Sequence, residues 1–406
     1  MAAKLPVDVP AEPQTGAVPS ITALVEPSLL VWARKTANLE PLAADRKIGV
    51  PEGRVAEWEN GTTLPTVKQL RDAAAVYRRP LGVFVLPEPP AGFETMRDFR
   101  RILGAEAAEW SVALHDEYRR AHAQREVILE IAELDGNEPE SRWRLVGLPD
   151  ADASIAAAAR HALESASPLD YPTPSADEYR HLAYWITALE HLGVMVMQTT
   201  GGQVETDEMR AFSLYFDRVP VIALNGADWP RGRLFSLIHE YAHLLLHTSG
   251  LCDTTTDTRA FTEDRQLEAR CNALAAEILM PAADVLDNTL VAERPPGHEW
   301  TMQELIDAAR PFGVSVESFL RRLVTLDRVP IEFYRDFRDG RSERDLRGNR
   351  SSGGNFYVTK ARDLGRGYVR TVTDAHSRNV IDSATAAAYL DVKVNQISRL
   401  AEKAGL

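Results

Sequence analysis

The chain has 406 residues, 45% of them hydrophobic, which is enough for two or three domains that each bury a core. Its net charge of −13 argues against non-specific nucleic-acid binding by the whole molecule, and its two cysteines are too few for a disulfide framework. No apolar stretch reaches the roughly eighteen residues of a membrane helix, and no signal-peptide pattern is present. We therefore expect a cytoplasmic protein without membrane contact.

The first predicted domain is all-helical. Residues 1–25 are rich in Ala and Pro and are predicted to form a loose tail. Residues 26–86 follow as four short helices, with a tight turn at Ile48-Gly49-Val50 and core positions at Val50 and Trp58. This pattern resembles the helix-turn-helix domain of the XRE (Cro/repressor-like) family.

Two roles for residues 26–86 stay open. The helix that would enter DNA offers Glu52, Arg54, Glu57 and Glu59, and acidic side chains there oppose phosphate binding. Basic residues on neighbouring helices could still hold the backbone: Arg34, Lys35, Arg46, Lys47, Lys68 and Arg71. The domain therefore either binds DNA or serves for dimerisation or for docking a repressor of the same fold.

The middle of the chain combines helices with a few strands. Helical spacing is found at about 105–134, 153–165 and 176–192, and short strands are predicted at 194–197, 211–216 and 219–224. Because zinc peptidases bind substrate as an added strand, residues 211–216 are a candidate sheet edge, with an ordinary core strand as the alternative.

The run His239-Glu240-Tyr241-Ala242-His243 is the strongest indication of chemistry. Histidines four residues apart point from one face of a helix and can share a metal ion. Glu240 is placed to take a proton from a water molecule beside that ion. The flanking residues are apolar, so this helix is expected to be buried. Burying two histidines and a glutamate costs free energy unless these side chains bind a partner such as a metal ion.

A third ligand is required, and three residues are candidates. His247 continues the same spacing but points past a metal held by the first two histidines. Glu268 lies near the start of a second helix that ends at Pro281, and it would complete a site with an open position for water. Glu277 lies at the other end of that helix, where a salt bridge suits it better. We therefore predict Glu268.

The paired motifs, at 239–243 and 268–281, resemble the signature of the ImmA/IrrE family of metallopeptidases, whose members cleave transcriptional repressors. The resemblance extends to the strand at 220–225. It implies Zn²⁺ held by His239, His243 and Glu268, with Glu240 as the general base. It also implies that residues 87–334 form a zincin-like α+β metallopeptidase domain with preceding helices. No residue that stabilises the oxyanion can be named, since Tyr241 lies on the wrong face.

The two cysteines allow two interpretations. Cys271 lies one helical turn after Glu268 and Cys252 lies soon after the first motif, so the pair could form a redox switch near the metal. Alternatively, each is a small core residue.

The C-terminal part is predicted to be helical. Helices at about 302–310 and 316–325 would cover the catalytic domain. Residues 335–354 are predicted to be an Arg-rich linker, and residues 355–406 a small helical module, part of which again resembles half of a helix-turn-helix.

The expected fold class is mainly α with a small mixed β-sheet. It comprises an N-terminal all-α domain, an α+β metallopeptidase domain and a C-terminal helical module. The favoured function is a zinc endopeptidase that cleaves a DNA-binding repressor, thereby derepressing stress or mobile-element genes. The alternative is a DNA-binding regulator or antitoxin-like protein whose metal site senses or stabilises. A dimer is compatible with either.

Overall fold

A computed structural model describes residues 22–37, 39–77, 79, 84, 111–139, 141–145, 151–200, 203–247, 251–252, 262–339 and 355–405. The chain divides into two compact units, Met1–Ile102 and Leu103–Leu406. Within the described ranges, no helix combines the length and apolar character needed to cross a bilayer.

The first unit consists of four short helices, which are α1 (Pro27–Thr36), α2 (Pro41–Ile48), α3 (Arg54–Glu59) and α4 (Val67–Val76). Their core contains Leu29, Leu30 and Trp58, each at most 1% exposed. The turn between α2 and α3 is fixed by Asp45, which is fully buried and accepts hydrogen bonds from the amides of Gly53 (2.7 Å) and Val55 (2.8 Å). These amides begin α3, so Asp45 satisfies donors that the helix itself leaves free.

Two surface assignments in this unit were wrong. Arg34 was expected among the phosphate-binding side chains and Glu59 among the acids facing DNA. Instead, Nε of Arg34 donates to Oε1 of Glu59 at 2.6 Å, and both side chains are at most 10% exposed. Arg34 also donates to the carbonyl of Leu39 at 2.6 Å. The two side chains pair because a buried charge is costly unless an opposite charge lies beside it.

The second unit contains the remaining described helices. They are α5 (Val112–Leu134), α6 (Asp152–Ala166), α7 (Glu178–His191), α8 (Pro230–Leu245), α9 (Thr262–Leu279), α10 (Ala282–Asp287), α11 (Thr289–Ala292), α12 (Met302–Ala309), α13 (Val316–Thr325), α14 (Ile331–Asp339), α15 (Phe356–Leu364), α16 (Arg366–Ser377), α17 (Ser383–Leu390) and α18 (Ile397–Ala404). α14 ends at Asp339, within the range 335–354 predicted as a linker. Residues 340–354 lie outside the described residues.

A small mixed sheet lies among these helices. Its strands are β1 (Met195–Gln198), β2 (Ala211–Leu214), β3 (Val221–Leu224) and β4 (Leu251–Cys252), in the order β1-β3-β2-β4. β1 runs parallel to β3, and β2 runs antiparallel to both β3 and β4. The predicted fold class, mainly α with a small mixed sheet, is confirmed.

Of the two interpretations of residues 211–216, the sheet edge is wrong at the first two residues of β2, which lie between two strands. Ala211 pairs with Cys252 and Phe212 pairs with Leu251, so β4 covers the side of β2 that faces away from β3. β4 has only two residues, too few for a recognisable alternation of apolar and polar side chains. The sequence therefore gives no indication of this outer strand.

The core of the second unit surrounds α8. This helix packs against α7, α9, β2 and β3, and its side chains are buried on every face from Leu234 to Leu245 except at Phe235. Pro230 occupies its first turn, where the missing amide hydrogen costs nothing. The helices after residue 355 belong to the same unit, since α15 and α16 pack against β1 and α16 also packs against α5.

Candidate metal centre

The two histidines of α8 face each other one turn apart. Each is 1% exposed, and their Nε2 atoms lie 3.2 Å apart. The Nδ1 atom of His239 lies 3.1 Å from Oδ1 of Asn272 and donates to it. An amide oxygen only accepts, so Nδ1 carries a proton, and Nε2 is the atom of His239 that can offer a lone pair to a metal ion. Two imidazole nitrogens this close repel each other unless a proton or a cation lies between them.

Glu268 brings a carboxylate to the same point from α9, which packs across α8. Its Oε2 lies 3.3 Å from Nε2 of His239, and its Oε1 lies 3.4 Å from Nε2 of His243. Ligand atoms of the three residues all lie within 4.8 Å of one another. The structure thus brings together His239, His243 and Glu268 in a group able to hold a metal ion.

The electrostatics of this group favour positive charge. Burial alone would raise the pKa of Glu268, but hydrogen bonds and charge from His239 and His243 hold it well below its usual range. Burial alone would lower the pKa of His243, but contacts with Cys271 and Glu268, together with the charge of Glu240, raise it to about 11. The carboxylates of Glu268 and Glu240 thus stabilise positive charge beside the two imidazoles, so the residues fit a bound metal ion.

Glu240 lies beside the group and is completely buried. The hydroxyl of Ser213, on β2, donates to its Oε2 at 2.6 Å. Its Oε1 is also buried, and no hydrogen-bond partner for it exists among the described residues. A carboxylate oxygen without a partner is costly inside a protein, and this arrangement leaves it free to accept a proton.

Ser213 and Asn272 were missed by the sequence analysis. Asn272 lies four residues after Glu268, so it shares a face of α9 with that residue, and the spacing could have identified it. Ser213 contacts a residue 27 positions away in the chain, across the packing of α8 on β2, and no local pattern indicates this contact.

The other candidate residues lie elsewhere. His247 follows the end of α8 in a left-handed conformation (φ 58°), and its ring centroid is 5.4 Å from that of Tyr215. Glu277 accepts from the amide of Ala282 and pairs with Arg322, in agreement with the salt bridge expected for it. The hydroxyl of Tyr241 donates to the carbonyl of Trp143 in the core, so this residue does face away from the group.

The structure describes the side chain of only one of the two cysteines. Cys271 is buried and its thiol adjoins His243. Burial raises the pKa of this thiol, although the neighbouring His243 opposes the effect. The backbone of Cys252 pairs with β2, but its side chain lies outside the described part of the chain. The redox-switch interpretation of the pair stays a prediction.

Comparison with known proteins identifies the domain that contains these residues. Residues 189–324 match the model of the peptidase M78 family, described as an IrrE N-terminal-like domain. The match includes α8, α9 and the sheet up to β4. No curated protein matches the chain. Residues 189–324 therefore match a peptidase M78 (IrrE N-terminal-like) domain, which supports a metallopeptidase of the ImmA/IrrE type in this part of the chain.

Proposed function

We propose that the protein is a zinc-dependent endopeptidase that cleaves a DNA-binding transcriptional repressor and thereby derepresses stress or mobile-element genes. The observation that carries the proposal is the buried combination of three converging ligand atoms and one carboxylate oxygen, Oε1 of Glu240, that has no partner among the described residues.

The spacing of the ligand atoms supports zinc. Bonds of about 2.0–2.1 Å in a tetrahedral site place neighbouring ligand atoms roughly 3.4 Å apart. The corresponding separations here are 3.2 Å between the two Nε2 atoms, 3.3 Å from His239 to Glu268 and 3.4 Å from His243 to Glu268. Two histidines and one carboxylate also match a catalytic site, which keeps its fourth position open.

Each of these residues would have a separate role in peptide hydrolysis. His239, His243 and Glu268 would hold Zn²⁺, which acts as a Lewis acid on the scissile carbonyl and makes water more acidic. Glu240 would accept the proton of the attacking water through Oε1 and pass it to the leaving amine. Ser213 would fix the orientation of Glu240 through Oε2, so that Oε1 stays directed toward the reacting atoms.

A repressor substrate is supported by family resemblance and by the first unit of the chain. Members of the ImmA/IrrE family cleave transcriptional repressors. The four helices between Pro27 and Val76 resemble the DNA-binding domain of such repressors, so this unit could dock a partner of the same fold or bind nearby DNA. Repressor, docking and DNA binding are all part of the proposal.

The proposal can be tested with purified full-length protein loaded with zinc. Wild type, Glu240→Gln and the exposed control Glu299→Gln are incubated with an extract of cells that lack the protein, and newly formed protein N-termini are labelled and sequenced. We expect new termini inside a DNA-binding protein with wild type and Glu299→Gln, and their loss with Glu240→Gln or after a zinc chelator. If cleavage persisted with Glu240→Gln, the metal site would not be the source of the cleavage. If a separate binding assay showed DNA binding but no cleavage were found, the metal site would serve sensing or stability instead.

A further inference from the structure

The larger unit contains a cavity that lies apart from the metal centre. It has a volume of about 650 Å³ and lies between α5, the end of α7, β1 and α16. This volume is typical of sites for small molecules. None of His239, Glu240, His243 and Glu268 lines the cavity. β1 is also separated from β2, which carries Ser213, by β3.

The chain that leads into α16, at the end of α15, is held by α5 and lies close to β1. Arg120 of α5 donates to the carbonyl of Asp363 at 2.9 Å, and Gln124 donates to that of Leu364 at 3.2 Å. Gly365 follows with φ 90°, and any side chain there would overlap the carbonyl oxygen of Val196. The close approach of backbone to backbone makes the cavity a fixed part of the fold.

Most charged groups that line the cavity already have partners. Arg378 donates to both carboxylate oxygens of Asp135, at 2.7 and 2.8 Å, and to Asp374 at 3.0 Å. Glu138 forms an ion pair of 3.0 Å with Arg218. Arg142, which also lines the cavity, donates to the carbonyl of His191 at 3.1 Å.

Glu190 and Arg370 differ from these groups. Oε1 of Glu190 accepts from the amide of Gly367 at 2.9 Å, but neither Glu190 nor the guanidinium of Arg370 forms an ion pair among the described residues. Glu190 lies on α7 and Arg370 on α16, and both line the cavity, so the cavity carries one side chain of each sign from opposite helices. Burial raises the pKa of Glu190 to about 7, although the hydrogen bond from Gly367 and the nearby charges of Arg370 and Arg366 oppose the effect.

We propose that this cavity binds a small zwitterion with an apolar body, namely an amino acid or a short peptide with apolar side chains. The ammonium group would pair with Glu190, and the carboxylate would accept the paired hydrogen bonds that a guanidinium offers, from Arg370. The apolar body would contact Ile131, Val194 and Val196, which line the same cavity. Both charges of the ligand are required, because its ammonium group would pair with the carboxylate of Glu190 and its carboxylate with the guanidinium of Arg370.

The experiment is calorimetric titration of the zinc-loaded full chain with two probes, L-phenylalanine and L-leucyl-L-phenylalanine, which distinguish an amino acid from a peptide. The matched analogues 3-phenylpropionate and 2-phenylethylamine each lack one charge. We expect at least one of the two probes to bind. Each analogue should bind at least ~10-fold more weakly than L-phenylalanine, because it loses one charge-assisted interaction. If only the dipeptide binds, the dipeptide is the reference for this comparison.

Substitutions in the wall complete the test. Glu190→Gln and Arg370→Gln should each weaken binding at least ~10-fold. Glu299→Gln, at an exposed position that does not line the cavity, and the metal-centre variant Glu240→Gln should leave binding unchanged. If Glu190→Gln fails to fold, Arg370→Gln, at a partly exposed position, decides the question. The proposal would be overturned if neither probe bound at about 10 mM, or if wild type and Arg370→Gln bound a probe equally.

Discussion

Glu268 contributes to the candidate metal centre from a different helix than the two histidines, and its substitution should separate metal binding from chemistry. We expect Glu268→Gln to lower zinc affinity by more than the ~100-fold that loss of an outer partner can cost, because a charged ligand is removed. Glu240→Gln should keep one zinc per chain, because Glu240 pairs with Ser213 and does not belong to the converging group. Zinc content and competition with a chelating dye measure both effects, with Glu299→Gln as the exposed control.

Asn272 should have a smaller effect on the same property. It fixes the proton of His239 on Nδ1, so Asn272→Ala frees the ring to rotate or to change tautomer. We expect a loss of zinc affinity of roughly 10–100-fold with an unchanged ligand set. The chelator competition used for Glu268→Gln can measure it, and unaltered affinity would show that the contact does not position the ring.

At the scale of residues, the sequence predicted what local spacing determines. His239 and His243 lie one helical turn apart, and Glu240 follows from the same motif. Glu268 was selected among three candidates because a helix start suited a ligand and a helix end suited a salt bridge. Ser213 could not be predicted, since its contact with Glu240 depends on how β2 packs against α8.

Among the elements, the turn from α2 to α3 depends on one buried side chain. Asp45→Ala would leave the amides of Gly53 and Val55 without their acceptor in a buried place. We expect the first unit to lose about 2 kcal/mol of unfolding free energy, from the cost of unsatisfied buried donors. Chemical denaturation followed by the fluorescence of the unit's tryptophans, Trp32 and Trp58, measures this loss. An unchanged midpoint would contradict the role given to Asp45, and Asp45→Asn, which retains one acceptor, should lose less.

The contact of α7 with α16 should make stability depend on pH. The pKa of Glu190 is raised from 4.5 to about 7 in the folded protein, so folding favours its protonated form. The stabilising effect is complete below about pH 4.5 and is lost as the pH rises through 7. Glu190→Gln imitates the protonated state, so it should gain melting temperature over wild type at pH 8 but not at pH 4. A constant difference across that range would show that Glu190 titrates normally.

The elements were predicted to different degrees. The helices with strong apolar spacing were recognised, and so were the three longer strands, because their periodicity is contained in the sequence. The edge of the sheet was not, since β4 has only two residues and follows a loop. Arg34 and Glu59 were assigned to the surface because charged residues usually lie there, and only the packing of α1 on α3 buries them together.

For the whole molecule, the net charge of −13 argues against general attraction to nucleic acid, and the first unit loses two of its expected surface charges to the Arg34–Glu59 pair. Lys35, Arg46, Lys47, Lys68 and Arg71 are more exposed and keep DNA binding by this unit as a prediction. The boundaries predicted for the separate domains also stay predictions. The helices after residue 355 illustrate why, because their own sequence does not reveal that they pack against β1.

The most direct test of the central claim, that the chain is a hydrolase acting on a repressor, compares new protein N-termini in living cells. Cells expressing wild type, Glu240→Gln or Glu299→Gln are sampled at rest and after DNA damage. We predict a new terminus inside a DNA-binding repressor with wild type and Glu299→Gln, and its absence with Glu240→Gln. Identical termini with wild type and Glu240→Gln under both conditions would contradict a proteolytic role for the metal centre.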